Sequence, residues 1–204
     1  VWGQTLNENN ITEWLSAYTE PKKSTRLALV MAGNIPLVGL HDVICGLASG
    51  YSIESKRSSS DTILLPFIVD FLTSVLPEWK DKVRFTEEKL TTYDKVIATG
   101  SNNTARYFEY YFKKKPHIIR KTRNGIAVLD GKETHKDLAA LCQDMMQYFG
   151  LGCRSVSHLM VPKGYDFNDL FLALYEHKDL IQHNAYANNY DYNKAVYLMQ
   201  EQEL

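Results

Sequence analysis

A cysteine that directly follows two closely spaced glycines is the residue best suited to covalent chemistry in this sequence of 204 residues. In the segment Gly150-Leu151-Gly152-Cys153-Arg154, the glycines allow a tight turn that leaves the Cys153 thiol open to a substrate. A cationic neighbour such as Arg154 could favour the thiolate, which is the form that attacks a thioester. The alternative is a buried structural cysteine, the usual role of this residue type. Cys45 and Cys142 fit that alternative well, because both lie on predicted helices.

Two short polar segments follow predicted strands and could hold a nucleotide. Gly100 and Ser101 stand between a strand and a helix, where backbone N–H groups and the helix dipole attract a phosphate. Capping of that helix by Ser101 or Asn102 is the simpler interpretation of the same residues. Lys56 and Ser58 could likewise hold a phosphate or a ribose, although a basic, serine-rich loop is usually only solvated.

Composition and charge exclude several classes of partner. The formal net charge is −1, so we expect neither nucleic acid nor an anionic membrane surface as a partner. No apolar run is long enough to span a bilayer. The six histidines lack a paired spacing such as HExxH, so we expect no metal site. Three scattered cysteines form no disulfide framework, which fits a reducing cytoplasm.

Strands and helices alternate over residues 26–115, which predicts an α/β fold with a parallel sheet and crossover helices. The predicted strands are 26–31, 52–56, 83–86, 96–99, 126–129 and 157–161. The predicted helices are 10–18, 37–49, 61–76, 104–113, 136–149 and 167–175, and the polar, aromatic segment 188–193 is predicted to be a loop. The predicted organisation is an N-terminal helical segment (1–25), a nucleotide-binding α/β lobe (26–122) and a second α/β lobe (123–204).

The order of several segments resembles the aldehyde dehydrogenase superfamily. Residues 31–37 (Met-Ala-Gly-Asn-Ile-Pro-Leu) resemble its segment with an asparagine before a proline, and residues 53–56 resemble its strand that ends in a cofactor-binding lysine. Residues 97–101 resemble its Thr-Gly-Ser turn, and residues 123–130 resemble the strand that begins its catalytic domain. Residues 149–153 lie where the superfamily keeps its nucleophile. All five segments occur in the family's order.

Within that superfamily, the sequence resembles the LuxC-type acyl-CoA reductases, which reduce acyl thioesters to aldehydes with NADPH. Residues 33–36, 98–103 and 150–154 carry this narrower resemblance. Aldehyde-oxidising members keep a glutamate just before the catalytic domain, as the general base for a hydrolytic water. The corresponding residues 118–123 contain no carboxylate. A reductase that exchanges its acyl group with CoA needs no such water, so this departure favours the reductase.

The resemblance implies an aldehyde dehydrogenase-like fold, in which a parallel-sheet nucleotide-binding lobe is followed by the start of an α/β catalytic lobe. It implies that Cys153 is the nucleophile for an acyl-CoA. The Asn34 side chain and the Cys153 backbone N–H would hold the developing oxyanion. We therefore expect Cys153 to face the strand ends where Gly100 lies.

The same resemblance implies the cofactor site. Lys56 and Ser58 would face the adenosine ribose and 2′-phosphate of NADPH, and Gly100 and Ser101 would approach the pyrophosphate. The family's C-terminal segment, with a further cofactor-contacting acid and oligomer contacts, would lie beyond Leu204. Two alternatives stay open: a superfamily reductase that acts on an acyl phosphate or an aldehyde, and a non-catalytic nucleotide-binding subunit.

Overall fold

The computed structural model describes residues 6–19 and 25–199. The chain divides between Thr122 and Arg123 into two compact units, each with its own sheet. Parts of the predicted N-terminal segment, residues 1–5 and 20–24, lie outside the described residues. Within the described ranges, no helix has both the length and the apolar character needed to cross a membrane.

A five-stranded, fully parallel sheet forms the centre of the first unit; the sequence predicted a parallel sheet and four of these five strands. Its strands are β1 (Arg26–Val30), β2 (Ser52–Lys56), β3 (Val83–Thr86), β4 (Lys95–Thr99) and β5 (His117–Arg120). Their spatial order is β3-β2-β1-β4-β5. The chain therefore builds one half of the sheet outward from β1 and the other half outward from β4. Ligands of open α/β sheets bind outside the strand ends at such a switch point.

Helices cover both faces of this sheet. The first unit contains α1 (Glu8–Ser16), α2 (Leu40–Ala48), α3 (Leu64–Val75), a 3₁₀ turn (Pro77–Trp79) and α4 (Asn102–Phe112). Leu29 of β1 packs on one face with Val43 of α2 and Leu65 of α3. Ala28 points to the other face, where Phe108 of α4 packs. Consecutive residues of β1 are thus buried on opposite faces, which explains its continuous apolar sequence.

The second unit is built on a two-stranded parallel sheet of β6 (Gly125–Val128) and β7 (Val156–Met160). Its helices are α5 (His135–Met146), α6 (Asn168–Tyr175) and α7 (Asn184–Met199), with 3₁₀ turns at Gln147–Gly150 and Lys178–Gln182. Thr134 and Asp137 form a capping box that begins α5. The core of this unit is a cluster between α5 and α6, formed by Leu138, Cys142, Leu170 and Ala173.

Several predicted helix ends differ from the structure, among them the predicted starts at 61 and 104, which are Leu64 and Asn102; three other differences have clear local causes. Helix α1 begins at Glu8 and not at residue 10, because Asn7 is the residue whose side chain caps it. Helix α2 begins at Leu40 and not at residue 37, because Leu37 adopts a left-handed conformation (φ 61°) within a turn. Helix α5 ends at Met146 and not at residue 149, because the next turn contains left-handed residues.

Two elements differ from the prediction altogether. The segment 188–193, predicted to be a loop, lies inside α7. Every side chain of α7 is at least partly exposed, so the helix lacks the apolar periodicity that would reveal it in the sequence. Strand β5 was not predicted at all. It has four residues and follows Pro116 and three lysines, and its first two residues are exposed, so no alternating burial pattern marks it.

A buried ion pair fixes α2 to the end of β5. Asp42 lies in the first turn of α2 with only 8% of its side chain exposed, and both carboxylate oxygens accept hydrogen bonds from Nη1 of Arg120, at 2.7 and 2.6 Å. Arg120 is the last residue of β5 and pairs in register with Thr99 of β4. The ion pair therefore holds the end of β5, the outer strand next to β4, against α2.

Replacing Arg120 by methionine should lower the free energy of unfolding by about 3 kcal/mol, because the buried Asp42 carboxylate loses its guanidinium partner and keeps only its contact with Nδ1 of His41. Urea denaturation followed by circular dichroism measures this loss. Lys121→Met is the matched control. Its ion pair with Glu109 is about half exposed on both sides (52% and 49%), so its loss should change stability little. Equal effects of the two substitutions would show that the Asp42–Arg120 pair has no special role.

Candidate functional site

Three segments that carry predicted site residues begin at the same edge of the first unit's sheet. In the parallel register, Val30 at the end of β1 lies opposite Lys56 of β2 and Ala98 of β4. The segments that follow these three strands therefore start side by side. They contain Asn34, Ser58 and the Gly100-Ser101 turn, which the sequence distributes over nearly 70 positions. The structure brings these residues to one edge, while their roles stay predictions.

Packing and hydrogen bonds join the segment after β1 to the segment after β2. The Met31 N–H donates to the Lys56 carbonyl at 3.2 Å. A side chain on Gly33 would collide with the Ser58 side chain, so glycine at this position allows the first segment to pack directly against Ser58. Further along, the Leu37 N–H donates to Oδ2 of Asp61 at 2.8 Å. The two segments are therefore fixed against each other at three points.

Arg57 anchors the second of these segments to β3, which the sequence analysis missed. Its guanidinium lies over the Phe85 ring, with its central carbon 5.5 Å from the ring centroid. Nη1 donates to the Thr62 carbonyl at 3.1 Å, and Nη2 lies 3.8 Å from Glu87. The buried Nε has no hydrogen-bond partner among the residues that the structure describes. No local pattern links Arg57 to the following strand, so only the fold reveals this contact.

Gly100 and Ser101 form the entry to α4. The Ser101 hydroxyl accepts a hydrogen bond from the Thr104 N–H at 3.2 Å, so the side chain caps the helix, as the simpler interpretation held. This cap satisfies one donor, whereas a helix begins with several N–H groups that have no partner within it. A Cβ at Gly100 would lie 3.0 Å from the Phe108 ring and 3.2 Å from the Thr104 Cβ. Gly100 thus allows α4 to start directly against the strand end.

Cys153 lies in the second unit, on the loop that enters β7, and its side chain is exposed. The loop is fixed to β6 immediately after the cysteine, because the Gly125 N–H donates to the Ser155 carbonyl at 3.0 Å. The Ser155 N–H in turn donates to the Gly152 carbonyl at 3.0 Å, which closes a tight turn around Cys153. This arrangement agrees with an accessible thiol and contradicts a buried structural cysteine.

Before Cys153, three consecutive residues adopt left-handed backbone conformations: Tyr148, Phe149 and Gly150 have φ values of 54°, 58° and 71°. This conformation costs a non-glycine residue about 1–2 kcal/mol. The Phe149 ring packs on the His183 ring, with centroids 4.5 Å apart, and also lies near Tyr186. Strained residues persist only where surrounding structure holds them, and such residues cluster at functional sites. Sequence reasoning identified the glycines here but not the strain or the packing.

The other two cysteines are poorly suited to nucleophilic attack. Cys142 is fully buried in the α5–α6 core, and burial raises the pKa of its thiol, with a further contribution from Glu176. Cys45 is half-buried on α2, 3.7 Å from Nε2 of His41. Burial raises its pKa too, and the nearby Asp42 adds to this, partly offset by Arg120. Thiolates are therefore disfavoured at both positions.

The candidate site residues belong to both units. Asn34, Lys56 and the residues at the start of α4 lie in the first unit, and Cys153 lies in the second. That Cys153 faces the strand ends of the first unit stays a prediction. Over the described ranges, no three His, Cys, Asp or Glu side chains lie close enough together to hold a metal ion.

No family model and no curated protein matches the sequence, but solved structures of aldehyde dehydrogenases match its fold. A protein of Anabaena variabilis described as an aldehyde dehydrogenase, PutA, aligns with a TM-score of 0.64 and 18% identity, over 76% of this chain and 35% of that one. The aldehyde dehydrogenase of Bacillus cereus in complex with NAD⁺ aligns with a TM-score of 0.61 and 17% identity, over 80% and 39%.

Propionaldehyde dehydrogenase of Rhodopseudomonas palustris, solved with bound propionyl-CoA, aligns with a TM-score of 0.57 and 14% identity, over 75% of this chain and 37% of that one. The solved structures thus agree on one architecture at low sequence identity. This chain has the fold of the aldehyde dehydrogenases and spans a little more than a third of the length of the solved structures it matches.

Proposed function

We propose that this chain contains the cofactor-binding edge and the nucleophile of an NADPH-dependent acyl-CoA reductase of the LuxC type. The observation that carries the proposal is that the Cys153 thiol is exposed in a chain with the aldehyde dehydrogenase fold. The loop that carries it contains left-handed residues and is held by contacts with neighbouring elements. One protein with this fold was solved with propionyl-CoA and another with NAD⁺, so ligands of both proposed kinds bind to the fold.

In the acyl half of the proposed reaction, the Cys153 thiolate attacks the carbonyl carbon of an acyl-CoA. The carbon–sulfur bond to CoA then breaks, CoA leaves as a thiolate that takes up a proton, and the acyl group stays on Cys153 as a thioester. The Asn34 side-chain amide and the Cys153 backbone N–H donate hydrogen bonds to the oxygen that becomes negative during the attack. Asn34 is exposed at the carboxyl edge of the sheet, which suits contact with a substrate.

The residues at the sheet edge fit a dinucleotide. The first turn of α4 offers backbone N–H donors to a pyrophosphate. Because Gly100 has no side chain, α4 can begin close to the end of β4, so these donors lie at the strand end. Lys56 is exposed at the end of β2, where it can meet a 2′-phosphate together with the Ser58 hydroxyl. NADPH, when bound, supplies the hydride that reduces the Cys153 thioester to the aldehyde level. Release of the aldehyde returns Cys153 to its thiol form.

Two features favour acyl transfer with CoA and NADPH over aldehyde oxidation with NAD. Residues 118–123, which cover most of β5 and the link to the second unit, contain no carboxylate that could activate a water. Dinucleotide sites often place an acidic residue after β2 to bind the ribose 2′-hydroxyl of NAD. Here residues 56–60 are one lysine, one arginine and three serines, and the carboxylate of Asp61 already accepts the Leu37 N–H.

Iodoacetamide should alkylate Cys153 well before Cys45 and Cys142 near neutral pH, because Cys153 is exposed while burial raises the pKa of the other two. Modification of Cys45 should increase as the pH rises, since more of its thiol then ionises. Peptide mass spectrometry of time points gives the three rates. The denatured protein is the control, in which all three cysteines should react at similar rates. A folded protein in which Cys45 reacts first would contradict the assignment.

Acyl-CoA without NADPH should acylate Cys153 and no other cysteine, in a one-to-one ratio. Cys153→Ser should keep the fold and the NADPH affinity but slow acyl transfer about a hundredfold or more, because an alcohol without an activating base is a far weaker nucleophile than a thiolate. Intact mass and peptide mapping measure the adduct for a panel of acyl-CoAs and an acyl phosphate without cofactor, and for an aldehyde together with NADP⁺, which accepts the hydride. An adduct from the acyl phosphate alone would identify the other type of reductase, and no adduct from any donor would indicate a non-catalytic subunit.

The purified protein should bind NADPH more tightly than NADH, and Lys56→Ala should narrow this preference by roughly 1–3 kcal/mol through loss of a charge-assisted contact. Isothermal titration calorimetry with both cofactors measures the preference. Lys80→Ala, which removes an exposed charge elsewhere in the first unit, is the matched control. Equal affinity of the unmodified protein for the two cofactors would refute the NADPH assignment and leave the acylation test unaffected.

A further inference from the structure

A carboxylate in the segment after β2 holds a strained residue in the segment after β1. Oδ2 of Asp61 accepts the Leu37 N–H at 2.8 Å, across 24 positions of sequence, and both residues are partly buried. Leu37 has a φ of 61°, which is unfavourable for any residue with a side chain. Its carbonyl accepts the Leu40 N–H at 3.0 Å, so Leu37 also starts the turn that leads into α2. The Asp61 bond therefore stabilises a conformation that Leu37 would not adopt by itself.

Asn34 lies between two contacts that the same segment makes. On one side, Gly33 packs so closely on Ser58 that no side chain would fit. On the other side, Leu37 is held by Asp61. The segment with Ser58 and Asp61 is itself compact, because the Asp61 N–H donates to the Ser58 carbonyl at 3.2 Å. Its Arg57 is anchored on β3. The short stretch that contains Asn34 is therefore held at both ends by contacts with the segment after β2.

We propose that Asp61 is a positioning residue, which holds Asn34 in place for the oxyanion by fixing the Leu37 turn. The inference rests on the proposed function, in which the Asn34 amide stabilises the developing oxyanion. It also gives the segment after β2 a second role. This segment contains Ser58, which we propose to bind the cofactor, and Asp61, which we propose to position Asn34. Asp61 has this role as a hydrogen-bond acceptor, so its negative charge is not required.

The acylation rate of Cys153 with octanoyl-CoA, measured without NADPH, tests this role. Asp61→Ala should slow acylation about tenfold, whereas Asp61→Asn, which keeps an acceptor oxygen, should retain the rate within about twofold. Asp61→Leu, of similar size but without an acceptor, should behave like Asp61→Ala and gives a second chance of a folded variant. Asp70→Ala is the matched control, because Asp70 is an exposed carboxylate on α3. Alkylation of Cys153 by iodoacetamide, which forms no oxyanion, should be unchanged in all variants.

A double-mutant cycle separates positioning from general stabilisation of the fold. Asn34→Ala should slow acylation about a hundredfold, as loss of an oxyanion donor does. In that background, Asp61→Ala should have less than about a twofold further effect, because there is no amide left to position. A full tenfold effect in both backgrounds, or none in the unmodified protein, would overturn the inference. An unchanged rate in Asn34→Ala would instead refute the oxyanion role of Asn34, and with it the basis of the proposal.

Discussion

The parallel register of β1 with both β2 and β4 is the constraint on which the arrangement of the first unit depends. Because all strand pairs of this sheet are parallel, every segment that follows a strand emerges at the same edge. Because the strand order places β1 beside β4, segments from distant parts of the chain become neighbours at the centre of that edge. The helix that starts there presents its N-terminus beside them. The dinucleotide site that we propose at this edge agrees with the general rule that ligands of open parallel sheets bind at such strand ends.

Polar contacts then fix the loops that the topology only brings near one another. The Asp42–Arg120 ion pair fixes α2 to β5 on one side of the switch point. On the other side, Asp61 holds the turn that precedes α2. Both carboxylates are at most partly exposed, and each binds a group on a segment distant in sequence. Helix α2 is therefore fixed at its N-terminal end from two sides, and the Leu37 turn that leads into it also ends the segment that contains Asn34.

The loop that carries Cys153 achieves rigidity by different means. Its backbone passes through three left-handed residues, and its stability depends on aromatic packing by Phe149 and on pairing of Ser155 with β6. Such a support suits the proposed role of Cys153 as a nucleophile, because attack requires the sulfur to be held within about 0.5 Å of the productive position. The other thiols lie on helices, where burial disfavours the thiolate. Exposure and local support thus distinguish Cys153 from the rest.

The sequence by itself determined the α/β class, the strands β1 to β4 and the turn residues at their ends, because these depend on apolar runs and on glycine at close approaches. It also singled out Cys153 from its two glycines. Only the tertiary structure decided which strand ends become neighbours, since strand order depends on long-range packing. It alone revealed Asp61, whose partner is 24 positions away, and helix α7, whose exposed side chains leave no apolar period. The pattern of apolar residues within a segment indicates which of its side chains will be buried, whereas contacts between distant segments form only when the chain folds.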